Sequence, residues 1–329
     1  MEPMIRPATV QPTLTYQRIA DNLQQVIFGK QETVRLAIVA LLAEGHLLIE
    51  DVPGLAKTRL ARALARSVGG ITQRIQFTPD LMPGDITGVM VYNQRSGTFD
   101  FDHGPVFANV VLADEINRGT PKTQSALLEA MAERSVTVAR DTYMLPNPFM
   151  VLATQNPLEP ATGTYRLPEA QLDRFLMRIT IGYPDHDSEV RAVQSDSGSD
   201  GLDGLFAVVD LPALRETIAV VRSLRVANEI HSYAVRLAVA TREHHAVRCG
   251  ASPRGSIALI RAARAWAVTA GRAFVTPDDV KDVAQPVLAH RLVLKREAEG
   301  GRWTTARDVV TEVLQDTPAP PVTIPTPRG

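Results

Sequence analysis

The sequence predicts an α/β fold, a parallel sheet with helices on both faces, followed by a smaller all-α domain. In the first half, short apolar runs alternate with helical patterns, which is the order that builds such a sheet. A tight turn follows the first apolar run and a Lys-Thr pair then opens a helix, as in many nucleotide-binding sheets. The second half has helical periodicity, and 329 residues are enough for two domains, each able to bury its own core.

The first half contains five predicted strands, two helices and two hairpins. The apolar runs predict strands over residues 47–50, 74–77, 110–114, 149–154 and 179–183, and the 3.6-residue pattern predicts helices over 57–68 and 121–134. Period-2 alternation over 89–101 and 136–145 predicts antiparallel hairpins that turn at 93–97 and 139–141. By pattern alone these are ordinary surface hairpins.

The second half begins after a polar, glycine-rich stretch at residues 195–204, which predicts a flexible linker. The helical pattern beyond it predicts helices over 211–224, 227–242, 256–269, 277–290 and 304–314. The expected organisation is a disordered tail over 1–15, an α/β domain over 16–194, the linker, a helical domain over 205–316 and a proline-rich disordered tail over 317–329.

Composition narrows the class of protein and its location. The 35 Lys and Arg against 36 Asp and Glu exclude a strongly basic nucleic-acid-binding protein. One cysteine, Cys249, excludes an internal disulfide and fits a reducing compartment. The N-terminus lacks a secretory signal pattern, and the longest charge-free apolar run, residues 36–43, is too short for a bilayer. We therefore expect a cytoplasmic protein without membrane insertion or a structural metal.

The turn after the first apolar run resembles a phosphate-binding loop with two departures. The general pattern G-x-x-x-x-G-K-[ST] uses glycines where the backbone curls its N–H groups toward phosphates. Here those positions hold Asp51 and Ala56, followed by Lys57 and Thr58, and only Gly54 supplies glycine freedom. The loop therefore predicts a phosphate site that the rest of the chain has to support.

Support comes from the ends of two later strands. Asp114 and Glu115 end an apolar run, and such a pair is tolerated where a cation neutralises one carboxylate and water chemistry uses the other. Asp114 with the Thr58 hydroxyl suits magnesium, and Glu115 suits the base that polarises an attacking water. Asn156, after the next run, suits holding that water or the terminal phosphate, although Asn-Pro alone more often marks a turn.

Four motifs together resemble the MoxR family of AAA+ ATPases, over roughly residues 26–294. They are EDVPGLAKT at 50–58, LADEINR at 112–118, ATQNP at 153–157 and LPEAQLDRF at 167–175. Loops in this family tolerate a residue other than glycine before the lysine, and variants resemble Asp51 at the first position. The resemblance implies an AAA+ P-loop domain followed by a helical lid.

The resemblance also implies the roles of individual residues. Lys57 would bind the β- and γ-phosphates, Glu115 the water, and Asn156 would be sensor 1. Arg174 would be an arginine finger for the neighbouring subunit, because the family motif selects it over Arg178 one turn away. Arg254 would be sensor 2, with the choice between its own and a neighbouring site open. The plain alternative for both arginines is a solvated helix face. The implied nucleotide-binding residues are Ile27, Gly29, Asp51, Val52, Pro53, Gly54, Leu55, Ala56, Lys57, Thr58, Asp114 and Arg254, with ATP and Mg²⁺ as cofactors and Thr58 and Asp114 on the metal.

The family further implies a homo-hexameric ring and a protein client that contains a von Willebrand factor A domain. The hairpins would then be the helix-2 insert and the pre-sensor-1 hairpin, which point toward the pore. The expected function is magnesium-dependent ATP hydrolysis coupled to chaperone-like remodelling or activation of a protein partner. The alternatives are the AAA+ subunit of a metal chelatase and an ATP-binding scaffold or switch with negligible hydrolysis, against which the intact pair of Asp114 and Glu115 argues.

Overall fold

The computed structural model describes residues 11–52, 54–157, 164–195, 202, 204–295 and 305–321. In the first part of the chain the elements are α1 (Pro12–Gln24), α2 (Gln31–Leu42), β1 (Leu47–Glu50), α3 (Lys57–Ser67), β2 (Thr72–Gln76), α4 (Pro83–Thr87), β3 (Gly88–Asn93), β4 (Thr98–His103), β5 (Val110–Asp114), α5 (Pro121–Glu133), β6 (Ser135–Val138), β7 (Asp141–Met144), β8 (Met150–Gln155), α6 (Glu169–Leu172), β9 (Met177–Ile179) and α7 (His186–Ser195). The second part contains α8 (Leu211–Ser223), α9 (Asn228–Glu243), β10 (Val247–Cys249), α10 (Pro253–Thr269), α11 (Pro277–Leu288), β11 (Val293–Leu294) and α12 (Ala306–Asp316). Short 3₁₀ helices cover Ile116–Arg118 and Ala289–Arg291.

The central sheet has the strand order β2-β5-β8-β1-β9, and every pair in it is parallel. Strand β1 lies between β8 and β9, with Leu47 opposite both Leu152 and Met177. The carboxyl ends of β1, β5 and β8 therefore meet at one edge, where the sequence places its candidate site residues. The predicted parallel sheet is confirmed.

The two faces of the sheet pack into two separate cores, because neighbouring strand residues point in opposite directions. Leu47 and Ile49 belong to one core, and Leu48 between them belongs to the other. The first core continues without a break into the helical domain, where α10 packs against α1 and α2. The helical domain therefore shares its core with one face of the sheet.

The helical lid is confirmed, with one addition to the all-α prediction. β10 and β11 form a short antiparallel ribbon across which Val247 pairs with Leu294. Both predicted hairpins are present, as β3 with β4 and as β6 with β7. The stacked rings of Phe101 and Tyr143, 4.2 Å apart, join one hairpin to the other. Within the described residues, no helix is both long and apolar enough to cross a bilayer.

Some predicted boundaries need correction. The predicted N-terminal tail extended to residue 15, but α1 begins at Pro12, a residue suited to the first helical position, and Thr15 is buried against α8. Within the predicted linker, Leu202 is 1 % exposed and packs into the first core. The predicted C-terminal tail began at residue 317, but Thr317 is buried at the end of α12 and the Pro318 carbonyl accepts from Arg236. Residues 1–10, 196–201, 203 and 322–329 lie outside the described residues.

The last strand of the sheet is also shifted from its predicted position. The sequence predicted a strand over 179–183, whereas β9 ends at Ile179. The reason is that the backbone N–H groups of Ile181 and Gly182 donate to the Asp51 carboxylate instead of to a neighbouring strand. The apolar run therefore continues into a loop that supports the phosphate-loop region.

His46 ties three elements together where β1 begins. Its Nδ1 accepts from the Val151 backbone N–H on β8 at 3.0 Å, and its Nε2 lies 3.1 Å from the Met131 carbonyl of α5, to which it donates. Burial lowers the pKa of His46 to about 4, and the charges of Arg134 and Arg261 act in the same direction. The neutral ring is therefore the form that the fold stabilises.

This burial predicts a pH dependence of stability. Because the unfolded chain protonates His46 below about pH 6.5 while the folded protein does not until about pH 4, the free energy of unfolding falls as the pH drops through that window. We expect the free energy of unfolding, measured by urea titration, to fall between pH 7 and pH 5 by about 2 kcal/mol more in the wild type than in His46→Gln, which has no imidazole to protonate. The exposed His231→Gln should follow the wild type, and equal losses in all three proteins would contradict the assignment.

Candidate functional site

The loop between β1 and α3 is curled by two residues with positive φ. Gly54 has φ of 86°, and Ala56 has φ of 53° and ψ of 19°, a left-handed conformation that costs a non-glycine residue about 1 kcal/mol. Ala56 caps α3, which begins at Lys57, so the free N–H groups of the first helical turn face the loop. Pro53 lies outside the described residues. The loop thus combines a helix N-terminus with a lysine, which suits phosphate.

Asp51 faces away from this turn. Its Oδ2 accepts from the N–H groups of Ile181 and Gly182 at 2.7 and 2.6 Å, and its Oδ1 accepts from Val52 N–H at 2.9 Å. The Lys57 ammonium donates to the Asp51 carbonyl at 2.6 Å. The carboxylate at a position where the general motif has glycine is thus held by backbone amide donors, and it does not line the cavity beside Lys57.

Thr154, on β8, links the Asp114 carboxylate to the Glu115 backbone at the end of β5. Its hydroxyl donates to Asp114 Oδ1 at 2.6 Å and accepts from the Glu115 backbone N–H at 2.9 Å. Glu115 itself has φ of 55°, a left-handed conformation that turns its side chain out of the strand direction. The buried Thr154 hydroxyl therefore holds the Asp114 carboxylate and the Glu115 backbone in a fixed relative position.

Both carboxylates have further partners that sequence reasoning missed. Glu115 Oε2 accepts from Gln76 Nε2 at 2.8 Å and from the Arg118 guanidinium at 2.9 Å. Asp114 Oδ2 accepts from Arg74 at 2.7 Å. Alternate residues of β2, which is parallel to β5, supply Arg74 and Gln76, so only the strand order could have identified them. Arg118 is the last residue of the LADEINR motif at 112–118, but the sequence predicted no role for it.

One cavity of about 540 Å³ brings most of the predicted phosphate, metal and water residues together. Its lining includes Thr58 and Asp114, whose hydroxyl and carboxylate groups are oxygen ligands of the kind that magnesium prefers. Among the described residues no group of three or more His, Cys, Asp or Glu side chains forms a metal site. A magnesium ion held mainly by phosphate oxygens needs few protein ligands. The cavity is lined by Gly54, Leu55, Ala56, Lys57, Thr58, Arg74, Gln76, Thr78, Asp114, Glu115, Arg118 and Asn156.

A second, more apolar cavity of about 250 Å³ shares Gly54, Leu55 and Ala56 with the first. Ile27, with Leu60 and Ile181, lines it, as expected for an adenine pocket beside a phosphate site. The two adjoining cavities together match a nucleotide, which has one flat apolar end and one polyanionic end.

Gly29 does not line this cavity, although the sequence placed it in the nucleotide site. Its φ is 65°, and an added Cβ would lie 2.3 Å from Ser188 Oγ and 2.8 Å from Asp185 Oδ2. The glycine is therefore required by a close approach to the start of α7. Its neighbours Ile27 and Phe28 do line the pocket.

Arg174, the predicted arginine finger, and Arg254, the predicted sensor 2, lie together in a third cavity of about 360 Å³. Arg174 follows α6, and Arg254 lies in the first turn of α10; both residues are exposed. No residue lining this cavity also lines the Lys57 cavity. Arg178, the alternative finger, pairs with Glu50 at 3.1 Å and does not line the third cavity. The predicted site residues thus fall into two groups.

Comparison with known proteins gives matches over both domains. A family model described as "ATPase family associated with various cellular activities (AAA)" matches residues 46–177, and one described as "AAA lid domain" matches residues 239–313. "Chaperone MoxR1" of Mycobacterium tuberculosis is 42% identical over 94% of this chain and 83% of the relative. "Protein MoxR" of Methylorubrum extorquens is 32% identical over 92% of this chain and 94% of the relative.

Two further matches cover the chain to a similar extent. "Uncharacterized protein YeaC" of Bacillus subtilis is 45% identical over 92% of this chain and 94% of the relative. The crystal structure of a putative ATPase from Cytophaga hutchinsonii is 38% identical and superposes with a TM-score of 0.85 over 92% of this chain and 94% of that one.

The anchoring of Asp51 predicts that its carboxylate matters for nucleotide binding without touching the nucleotide. Asp51→Ala removes an acceptor for three N–H groups. We therefore expect the dissociation constant for a fluorescent ATP analogue, measured by titration, to rise at least tenfold. The exposed Asp80→Ala removes the same group elsewhere and should bind like the wild type. Unchanged affinity in Asp51→Ala would show that the loop holds its shape without this anchor.

Proposed function

The chain belongs to the MoxR family of AAA+ ATPases, and we propose that it hydrolyses ATP with Mg²⁺ at the Lys57 site to remodel or activate a protein partner. The observation that carries this proposal is the convergence of Lys57, Thr58, Asp114, Glu115 and Asn156 on one cavity. These side chains come from the first turn of α3 and from two strand ends that are distant in sequence. Together they supply the phosphate, metal and water contacts that phosphoryl transfer needs.

In the proposed reaction, Glu115 accepts a proton from the water that attacks the terminal phosphorus, as the bond to the leaving oxygen breaks and ADP departs. Lys57 stabilises charge on the phosphate oxygens, and Asn156 orients the water or the phosphate. Magnesium, when bound by Thr58 and Asp114, would supply Lewis-acid stabilisation. Gln76 and Arg118 both donate to Glu115 Oε2, so the second carboxylate oxygen is the one suited to accept from the water.

We further propose that Arg174 and Arg254 act on the ATP of a neighbouring subunit. Their cavity has no lining residue in common with the Lys57 cavity, which supports a role across a subunit boundary for both arginines. This extends to Arg254 the trans role that the sequence assigned to Arg174 alone. Their guanidinium groups would stabilise charge that develops on the terminal phosphate.

The remaining parts of the proposal concern assembly and partner. We propose a homo-hexameric ring in the cytoplasm and a client that contains a von Willebrand factor A domain. The chaperone name of the Mycobacterium relative supports a protein client. The first hairpin exposes Val89, Val91, Tyr92 and Phe99, and this apolar surface suits contact with a protein.

The active-site assignment predicts two distinct failures. Glu115→Gln keeps the shape of the side chain but loses the base, so it should bind ATP normally and hydrolyse it at least a hundredfold more slowly. Lys57→Ala removes a phosphate contact and should bind poorly. Nucleotide titration and a steady-state phosphate-release assay separate the two effects. Hydrolysis near the wild-type rate in either variant would overturn the assignment.

The trans assignment predicts rescue by mixing. Arg174→Ala and Arg254→Ala subunits should each be inactive alone, by about 10³-fold or more for the finger, with their own nucleotide binding preserved. Mixed with Glu115→Gln subunits, each should regain turnover, because some boundaries then join an intact Glu115 to intact arginines. A mixture of Arg174→Ala subunits with Arg254→Ala subunits should stay inactive, because every subunit boundary then lacks one of the two arginines. ATP turnover in this mixture would contradict a site that needs both arginines from one subunit.

A further inference from the structure

Arg291 is a buried arginine that holds the segment in which Arg174 lies. Its side chain is 4 % exposed, and its Nε donates to Asp173 Oδ1 at 2.8 Å. Its Nη2 donates to the Phe175 carbonyl at 2.7 Å, and its Nη1 contacts the Leu176 carbonyl at 3.3 Å. The Arg291 guanidinium therefore hydrogen-bonds to residues on both sides of Arg174, and Arg174 itself lines the 360 Å³ cavity.

Asp173 carries this contact to the helix that presents Arg254. Its Oδ1 accepts from Arg291, and its Oδ2 accepts from the Ser252 hydroxyl at 2.9 Å. Ser252 is the N-cap of α10, and its Oγ accepts from the Arg254 backbone N–H at 3.1 Å. Continuous hydrogen bonds thus join the residue before Arg174 to the backbone of Arg254.

The burial of Arg291 makes a purely packing role a poor explanation. Removing a guanidinium from water is unfavourable, and this burial lowers the pKa of Arg291 while the Asp173 carboxylate opposes the shift. An apolar side chain of similar volume would fill the space at lower cost. What it could not do is bind several carbonyls and one carboxylate in a fixed planar arrangement. The arginine therefore suits a task that needs defined geometry.

We propose that Asp173, Ser252 and Arg291 are positioning residues that hold Arg174 and Arg254 at a fixed separation, so that both reach the neighbouring subunit's nucleotide as one unit. This inference rests on the proposed trans role of the two arginines. Arg174 comes from the α/β domain and Arg254 from the helical domain, so their relative position depends on this link between domains. A displacement of about 1 Å at a reacting group is enough to reduce the rate about a hundredfold.

The experiment compares Ser252→Ala and Asp173→Asn with Thr305→Ala as the matched control. Thr305 also caps a helix of the helical domain through its side chain, but it belongs to α12 and bonds Asp308, not the Arg174 segment. We expect ATP turnover to fall at least tenfold in Ser252→Ala and further in Asp173→Asn. Affinity for a fluorescent ATP analogue should be unchanged, and Thr305→Ala should hydrolyse ATP like the wild type.

Mixing separates positioning from general loss of structure. Asp173→Asn subunits mixed with Glu115→Gln subunits should regain turnover, because the former keep an intact ATP site and the latter keep intact arginines. Mixed with Arg174→Ala subunits they should not, since both then lack a competent arginine pair. A merely destabilised fold would be rescued by neither partner, and this outcome would overturn the inference.

Two other results have separate meanings. Turnover in Ser252→Ala and Asp173→Asn equal to that of Thr305→Ala would overturn the inference and leave the proposed trans site standing, provided that Arg174→Ala is rescued by Glu115→Gln. If Arg174→Ala is itself not rescued in rings shown to be mixed, the trans site falls and the inference falls with it.

Discussion

The site depends on the parallel pairing of β1 between β8 and β9. β1 leads into the phosphate-binding loop, β8 supplies Thr154 and precedes Asn156, and β9 follows the Arg174 segment. Because side chains alternate across a strand, a slip of one residue in this register would turn the buried leucines of β1 to the wrong faces. The same slip would separate the strand ends that form the Lys57 cavity. Core packing and site assembly are therefore enforced by one set of backbone hydrogen bonds.

The short segment around β9 serves both groups of site residues. At its start, residues 173–176 carry Arg174 and are held by Arg291. At its end, Ile181 and Gly182 donate to Asp51 in the subunit's own loop. Only a three-residue strand, parallel to β1, separates these ends. The nucleotide loop and the segment that carries Arg174 are thus joined by a short, rigid piece of backbone.

The sequence predicted those site residues that directly follow a single apolar run. Lys57, Asp114 and Asn156 follow apolar runs, so their convergence followed from the rule that parallel strand ends share an edge. The partners of the carboxylates were not predictable in this way, because Gln76 becomes a neighbour of Glu115 only through the strand order. Gly29 shows a different limit. A glycine near a pocket indicates a close approach, but the sequence does not say whether the approaching group is a ligand or, as here, a serine of another helix.

Asp51 has a consequence for the empty state of the enzyme. A glycine-rich phosphate loop without ligand samples many backbone conformations, and nucleotide binding has to restrict them. Here, three amide donors and a lysine already hold the residue that begins the loop, so part of that conformational entropy is lost during folding and not during binding. Product release then leaves a loop that is ready for the next nucleotide. The acidic residue that looked like a defect in the motif therefore acts as an internal template for the loop, and this preorganisation strengthens nucleotide binding.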